Sequence, residues 1–388
     1  MSGVGRLGFV VVDWPGIQRA TPGIARKIKW QMKAFANAGF DVELVGVEGH
    51  STQGEKLLDR LPFYSDYGAW RAALAPGYRA LYIRRPSYVS AGMLRALEVY
   101  RRECPGAPVV FEVPTWPYDA EDRTWRRLPL HVKDLMHRRR LGDVVDYVAD
   151  LSCADSILGI PTLPIINGVD LDDMPSRSPS GEAAPVLNLM CVAAFARWHG
   201  ADRVLRGMAV YRREGEPAGP VHLELIGDGP ELASLRRLAD DLDVSPMVTF
   251  RGMLGIEDIA RVYDRCQMGI ASLGLHRIGL DRASTLKTRE YLAKGLPFVY
   301  SGSIDVLEGR DVDFCLRVPA DESPLDIEQV VRFYRSLVSN RTERELVERI
   351  RKFAELHVSM DAAMGPVSRY FLRNLSINAG DLTGKESI

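Results

Sequence analysis

The sequence predicts an α/β protein built from two doubly wound domains. Short, nearly continuous apolar runs rich in Val, Ile and Phe recur along it, as strands buried on both faces of a parallel sheet require. Segments with helical apolar spacing alternate with these runs. The alternation breaks off around residues 172–188 and then starts again, so the pattern occurs twice.

In the first half the strand-like runs are LGFVVV (7–12), VELVGV (42–47), ALYI (80–83) and PVVFEV (108–113). Between the first two, Ile24, Ile28, Met32, Phe35 and Ala36 recur at helical spacing and Gly39 follows as a C-cap. The seam DDMPSRSPSGEAAPVLN is rich in Pro, Ser, Gly and charge, as an exposed linker should be. The second half reads LNLMCVAA (187–194), a helix over 201–213, VHLELIG (221–227), a helix over 230–242, MVTFRG (247–252), a helix over 256–265 and MGIASL (268–273). A helix opening on STLK then precedes LPFVYSG (296–302), and two helices (325–339 and 342–356) and an amphipathic stretch (361–374) follow. The expected organisation is a first domain over 1–170, a linker over 171–186 and a second domain over 187–358. A C-terminal helix over 359–388 would cross back to the first domain and end in a frayed tail. Two such domains facing each other offer a cleft at the carboxyl ends of their sheets.

Bulk properties narrow the function. At 388 residues the chain exceeds what one hydrophobic core usually serves. Net charge is -1, so no global field favours nucleic acid or an acidic partner. Five cysteines, scattered and never in a CxxC pair, fit buried thiols in a reducing compartment and hence a cytoplasmic protein. The longest N-terminal apolar run, about six residues, is too short for a signal-peptide core or a membrane span.

Two kinds of chemistry find little support. A dinucleotide asks for G-x-G-x-x-G after the first strand, which VVVDWPGIQRATPG lacks, and IGDGPEL continues with Glu231 and Leu232 where the fingerprint should go on. The seven histidines form no HxH or HExxH pair, and D-x-D triplets are commonplace in a chain with 51 acidic residues, so no metal is expected.

STLKTREYLAKGLPF says more. With Ser284 as N-cap, Thr285, Leu286 and Lys287 would offer free N–H groups to an anion, and the Lys287 ammonium adds charge at the same end. Glu290 falls on the same helix face, where its carboxylate could accept hydrogen bonds from a ribose diol. Together they suit a nucleoside diphosphate. Taken alone they also fit a solvated Lys–Glu pair worth a few tenths of a kcal/mol. Just past the run 187–194, Arg197, His199 and Arg203 form a basic group that could neutralise phosphate oxygens, or lie on a solvated loop with Trp198 as a core cover.

The ordered set FARWHGADRVLRG, LELIGDGPE, VTFRGML and STLKTREYLAKGLPFV, with IINGVDL at the hinge, resembles the donor domain of family 4 retaining glycosyltransferases of the GT-B fold. TPGIARKIKWQMKAFANAGFDVELV and FEVPTWPYDAED resemble the branch that makes bacterial surface polysaccharides. The resemblance implies a UDP- or GDP-linked sugar as co-substrate, with no cofactor. Its diphosphate would contact Lys287, the amides of Thr285 and Leu286, and the basic group at 197–203, including Arg197. Glu290 would hold the ribose, and Gly252, Met253 and Leu254 would line the base. The glycines of IGDGPEL, Gly229 among them, can let backbone come close to a ligand or simply make a tight strand-to-helix turn. Gly23 would belong to the first-domain loop that closes on the donor. His199-Gly200 stands where most members have Lys-Gly, which leaves the phosphate role to His199 or Arg203. Arg282 stands eight residues before Glu290, where the family has a glutamate. Where members often have a first-domain histidine reaching the donor sugar, this chain has Thr115 or Tyr118.

The function so implied is a metal-independent, retaining hexosyl or related transfer to a hydroxyl of a saccharide or lipid-linked acceptor. Transfer to a small natural product, a sugar-nucleotide epimerase and a non-catalytic nucleotide-sugar binding protein stay open. Residues 123–140 carry seven Lys or Arg and one acid among apolar residues. They could rest on an anionic membrane surface, or form a solvated helix with one core-facing stripe.

Overall fold

The computed structural model describes residues 4–48, 65–74, 77–118, 128–152, 154–179 and 185–383. Expectations for Cys153, for 119–127, for 180–184 of the linker and for 384–388 of the tail fall outside these residues. Contacts divide the chain into two compact units, residues 1–166 with 363–388, and residues 167–362.

In the first unit, β1 (Arg6–Val12), β2 (Asp41–Val47), β3 (Ala80–Arg84), β4 (Val109–Val113) and β5 (Tyr147–Asp150) form a parallel sheet in the order β2-β1-β3-β4-β5. Short β6 (Ser156–Ile157) and β7 (Ile160–Pro164) extend it, β7 pairing in parallel with β5 and β6 antiparallel with β7. Helices α1 (Trp14–Ala20), α2 (Pro22–Asn37), α3 (Tyr67–Ala73), α4 (Ala91–Glu103) and α5 (Leu128–His137) connect the strands. All five residues of β4 are buried, which is why that strand reads as an apolar run with Glu112 as its one polar residue.

The inner face of α2 is rotated from the expected stripe. Ala25, Ile28, Gln31, Ala34 and Phe35 are buried, while Ile24 and Ala36 face solvent. A polar residue sets this rotation: Gln31 turns inward and its Nε2 donates to Glu112 Oε1 at 3.3 Å. Apolar periodicity alone could not show it.

In the second unit, β8 (Leu187–Val192), β9 (Val221–Ile226), β10 (Val248–Gly252) and β11 (Met268–Ile270) join β13 (Phe298–Ser301) and β15 (Cys315–Val318) in a fully parallel sheet, order β10-β9-β8-β11-β13-β15. Two-residue β12 (Arg282–Ala283) and β14 (Ser303–Ile304) pair beside it. Its helices are α6 (Ala201–Arg213), α7 (Leu232–Asp241), α8 (Ile256–Arg265), α9 (Leu286–Lys294), α10 (Ile327–Val338) and α11 (Glu343–His357). The last helix, α12 (Met360–Thr383), starts here and adds its residues from Ala363 on to the first unit.

The strand order reverses between β8 and β11. In open parallel sheets the connections after such a pair leave in opposite directions and open a ligand crevice at the carboxyl ends.

Candidate functional site

Four loops of the second unit meet at this carboxyl edge: 193–200 after β8, 227–231 after β9, 252–255 after β10, and 271–285 between β11 and α9. They pack backbone to backbone. Phe195 N donates to Asp228 O at 2.6 Å, and Glu231 N to Phe195 O at 3.0 Å. Gly229 has φ of +145°, and a Cβ on it would lie 2.5 Å from Phe195 N and O. Gly200 has φ of +66°, and its Cβ would lie 2.9 Å from Gly274 N. Both positions therefore need glycine for the loops to touch. Beyond Gly252, Met253 is 77% exposed and Leu254 half-buried, an apolar rim next to the β9 loop.

Helix α9 opens at the β11 side of the reversal. Its N-cap is Thr285, one residue later than expected, and the Thr285 side chain makes no capping bond. Ser284 is instead tied back: its carbonyl accepts from Asn167 Nδ2 at 2.9 Å, and its hydroxyl from Arg289 Nη2 at 3.2 Å. Arg289 is fully buried and ion-paired with Asp305, and its Nε donates to Asn167 O at 3.0 Å. Burial pushes this guanidinium's pKa down, while Asp305 opposes the shift. Sequence reasoning missed Arg289 and Asp305, whose buried pairing fixes the start of the helix. The NGVD segment is part of the same brace.

Lys287 and Glu290 share the half-buried face of α9, and Leu286 is exposed. Lys287 Nζ reaches Cys191 Sγ, near the end of β8, at 3.7 Å. Glu290 lies close enough to Tyr263 that, after burial, its charge helps push that phenol's pKa up.

His199 stands beside Lys287. Burial, and then the Lys287 charge, lower its pKa to about 4, so the ring is neutral at pH 7. Its Nδ1 accepts from Ala196 N–H at 3.0 Å, which leaves the proton on Nε2 as a donor. Arg197 is exposed on the same turn, and the Trp198 ring lies tilted against the His199 ring with centroids 5.7 Å apart.

Arg203 does not join them. It is 1% exposed, and its guanidinium binds Leu273 O at 2.6 Å, Ser323 O at 2.7 Å and Pro319 O at 3.1 Å. It clamps loops together and has little left for a phosphate. Arg277 clamps from outside, gripping Asp202 at 2.8 and 2.9 Å and Arg197 O at 2.9 Å, and also binding Glu322. Arg282 Nε donates to both oxygens of the Glu308 carboxylate, at 2.9 and 3.0 Å, so the position where the resemblance wants a glutamate carries an ion pair.

In the first unit, Thr115 is exposed just past β4. Tyr118 is buried, its hydroxyl donating to Asp134 at 3.0 Å with Arg85 over its ring at 3.5 Å, so its polar end is already used. Gly23 is exposed within the first turn of α2 and is not part of a loop. At the carboxyl edge of this sheet Glu112 is fully buried, with Arg84 at 2.9 Å and Lys27 at 3.7 Å. Burial pushes the Glu112 carboxyl up, but the two cations outweigh it and hold it below the usual range. Helix α5 is reversed relative to an ordinary surface helix. It buries Lys133 and Asp134 and exposes Leu128 (58%), Val132 (46%), Leu135 (42%) and Met136 (62%). Asp134 holds it by accepting from Val89 N at 2.8 Å and from Tyr118. The core-facing stripe is thus polar, and the apolar one points outward.

Among the described residues no cluster of three or more His, Cys, Asp or Glu is arranged to hold a metal, and no helix is long and apolar enough to cross a membrane.

Both units have the doubly wound parallel-sheet form, and the fold class is that of the GT-B glycosyltransferases. No protein-family model and no curated protein matches the chain. Solved structures do match. A glycosyltransferase from Rickettsia africae ESF-5 superposes with TM-score 0.59 at 11% identity, over 96% of this chain and 98% of that one. Sucrose-phosphate synthase from Thermosynechococcus elongatus gives 0.56 at 17%, over 95% and 99%. Anabaena HepE in complex with UDP gives 0.53 at 13%, over 98% and 100%. At such identities the likeness is one of fold.

Proposed function

We propose that the protein is a glycosyltransferase that moves a sugar from a uridine diphosphate donor to a hydroxyl of a saccharide or lipid-linked saccharide, with retention and without a metal ion. The observation that carries this reading is the opening of α9. At the sheet's reversal point a helix start without a side-chain cap presents the Leu286 and Lys287 amides beside the Lys287 ammonium and the neutral His199 donor. Such a cluster suits the two phosphates of a nucleoside diphosphate. Glu290, one turn along the same face, takes the ribose diol. Gly252, Met253 and Leu254 offer an apolar rim for the base. Uridine is favoured because HepE, of the same fold, was solved with UDP.

Cleaving the anomeric C–O bond leaves negative charge on the departing phosphate. Lys287, His199 Nε2–H, exposed Arg197 and the α9 dipole are the groups that stabilise it. The leaving oxygen then accepts the acceptor's proton on the same face. Family 4 membership and a place in surface-polysaccharide assembly belong to this reading. So does a cytoplasmic location, which free thiols at Cys104, Cys191, Cys266 and Cys315 fit. Peripheral contact with an anionic leaflet is supported by the outward apolar face of α5 and by exposed Arg139 and Arg140 shortly after it.

Calorimetry with UDP, GDP, ADP and dTDP tests the donor site. UDP is expected to bind best, and Lys287→Ala and Glu290→Ala should each weaken it at least tenfold, about 1.4 kcal/mol. If neither does, the site assignment is wrong.

A further inference from the structure

A second cavity lies at the opposite, amino-terminal edge of the same sheet. It measures about 460 Å³, within the range of small-molecule sites, and sits where β8 and β9 begin, walled by α10 and the turn into α11. Its lining includes apolar Leu187, Ala218 and Val338. It also includes the basic residues Arg335 and Arg341.

Charge at this place is unbalanced. Glu343, the acidic residue of the lining, is already neutralised by buried Arg177, whose Nη2 lies 2.8 Å from its carboxylate. Arg335 has no carboxylate partner among the described residues, and its Nη2 would lie only 3.1 Å from a Cβ added at Gly219, so the guanidinium leans over the cavity lining. Arg341 has its nearest carboxylate, Asp313, at 3.9 Å, and Arg349 already holds that group at 2.7 Å. Arg341 Nη1 is shielded from solvent without a hydrogen-bond partner. A buried guanidinium nitrogen without a partner is costly, and an anion in the cavity would neutralise the remaining charge of both arginines.

We propose that this cavity binds a small organic anion, a carboxylate or phosphate on a compact apolar body, whose charge meets Arg335 and Arg341 while its body lies against Leu187, Ala218 and Val338. The site is separate from the α9 edge and does not depend on the donor reading.

Calorimetry on the full chain with four probes tests it: benzoate and phenyl phosphate, which carry both features, benzyl alcohol, which lacks the charge, and inorganic phosphate, which lacks the apolar body. At least one of the first two should bind saturably at one per chain, and whichever binds identifies the anion. Arg335→Glu, on an exposed side chain, and Arg341→Gln should each weaken it at least tenfold without changing the melting temperature of the free protein. Should Arg341→Gln fail to fold, Arg335→Glu decides alone. No saturable binding up to about 10 mM, equal binding of benzyl alcohol or inorganic phosphate, or indifference to the substitutions would overturn the proposal.

Discussion

The His199 imidazole is half-buried, accepts a hydrogen bond from the Ala196 amide and sits beside the Lys287 ammonium, and all three conditions bear on its protonation. Its folded pKa, about 4, lies below the ordinary 6.5, so the unfolded chain binds this proton more readily than the folded one. The stability this histidine contributes is present above pH 6.5 and is lost as pH falls toward 4. Urea midpoints at pH 7 and pH 4.5 should fall less for His199→Gln than for the parent chain. After allowance for partial exposure the difference is about 1 to 2 kcal/mol; equal falls would show that the ring is not held neutral. Residues differ in how far the sequence reveals them. Lys287 and Glu290 could be placed on one face because helical spacing fixes that relation whatever the surroundings. Arg203 looked like their equal from its position after a strand, but only coordinates show its fork bending back onto Leu273, Pro319 and Ser323 carbonyls. Arg289 was hidden for the same reason, since a buried charge announces itself only through its partner, and Asp305 lies sixteen residues away.

Elements show the same division. The central strands β1, β3, β4, β8 and β9 were legible because burial on both faces forces continuous apolar sequence. The edge pieces β6, β7, β12 and β14 are short, carry Ser, Pro, Thr or Arg, and leave no such mark. Helix α5 shows where periodicity misleads: its apolar stripe exists but faces outward, because Asp134 and Lys133 dock the other side. With exposed Arg139 and Arg140 following, that face should adsorb to anionic vesicles. Co-sedimentation with phosphatidylglycerol liposomes at low ionic strength is expected, lessening as salt screens the arginines. Replacing Leu128, Val132, Leu135 and Met136 together by Ser should abolish it. Adsorption that survives this change would place the contact elsewhere.

At the scale of the whole chain, the alternation of strands and helices made the two-unit α/β form readable, while the exact ownership of the last helix rests on contacts between residues hundreds of positions apart. Phe371 on α12 packs against Phe35 at 5.9 Å and Phe40 at 6.1 Å, and Tyr370 against Tyr147 at 4.7 Å. Phe371→Ala should therefore destabilise the first unit by about 3 to 5 kcal/mol. Hydrogen exchange should quicken in β1, β2 and α2 and stay unchanged in β8 and β9; uniform change in both units would contradict the division. A ribosome releases the chain from its N-terminus, so the first unit's strands emerge early and must wait, with the place of Phe371 unfilled, until residues beyond 363 appear. The second unit, continuous in sequence, has everything it needs before then. The half that is synthesised first is thus the half that can finish folding only last, and during that interval its exposed aromatic cluster is the part of the molecule most in need of a chaperone.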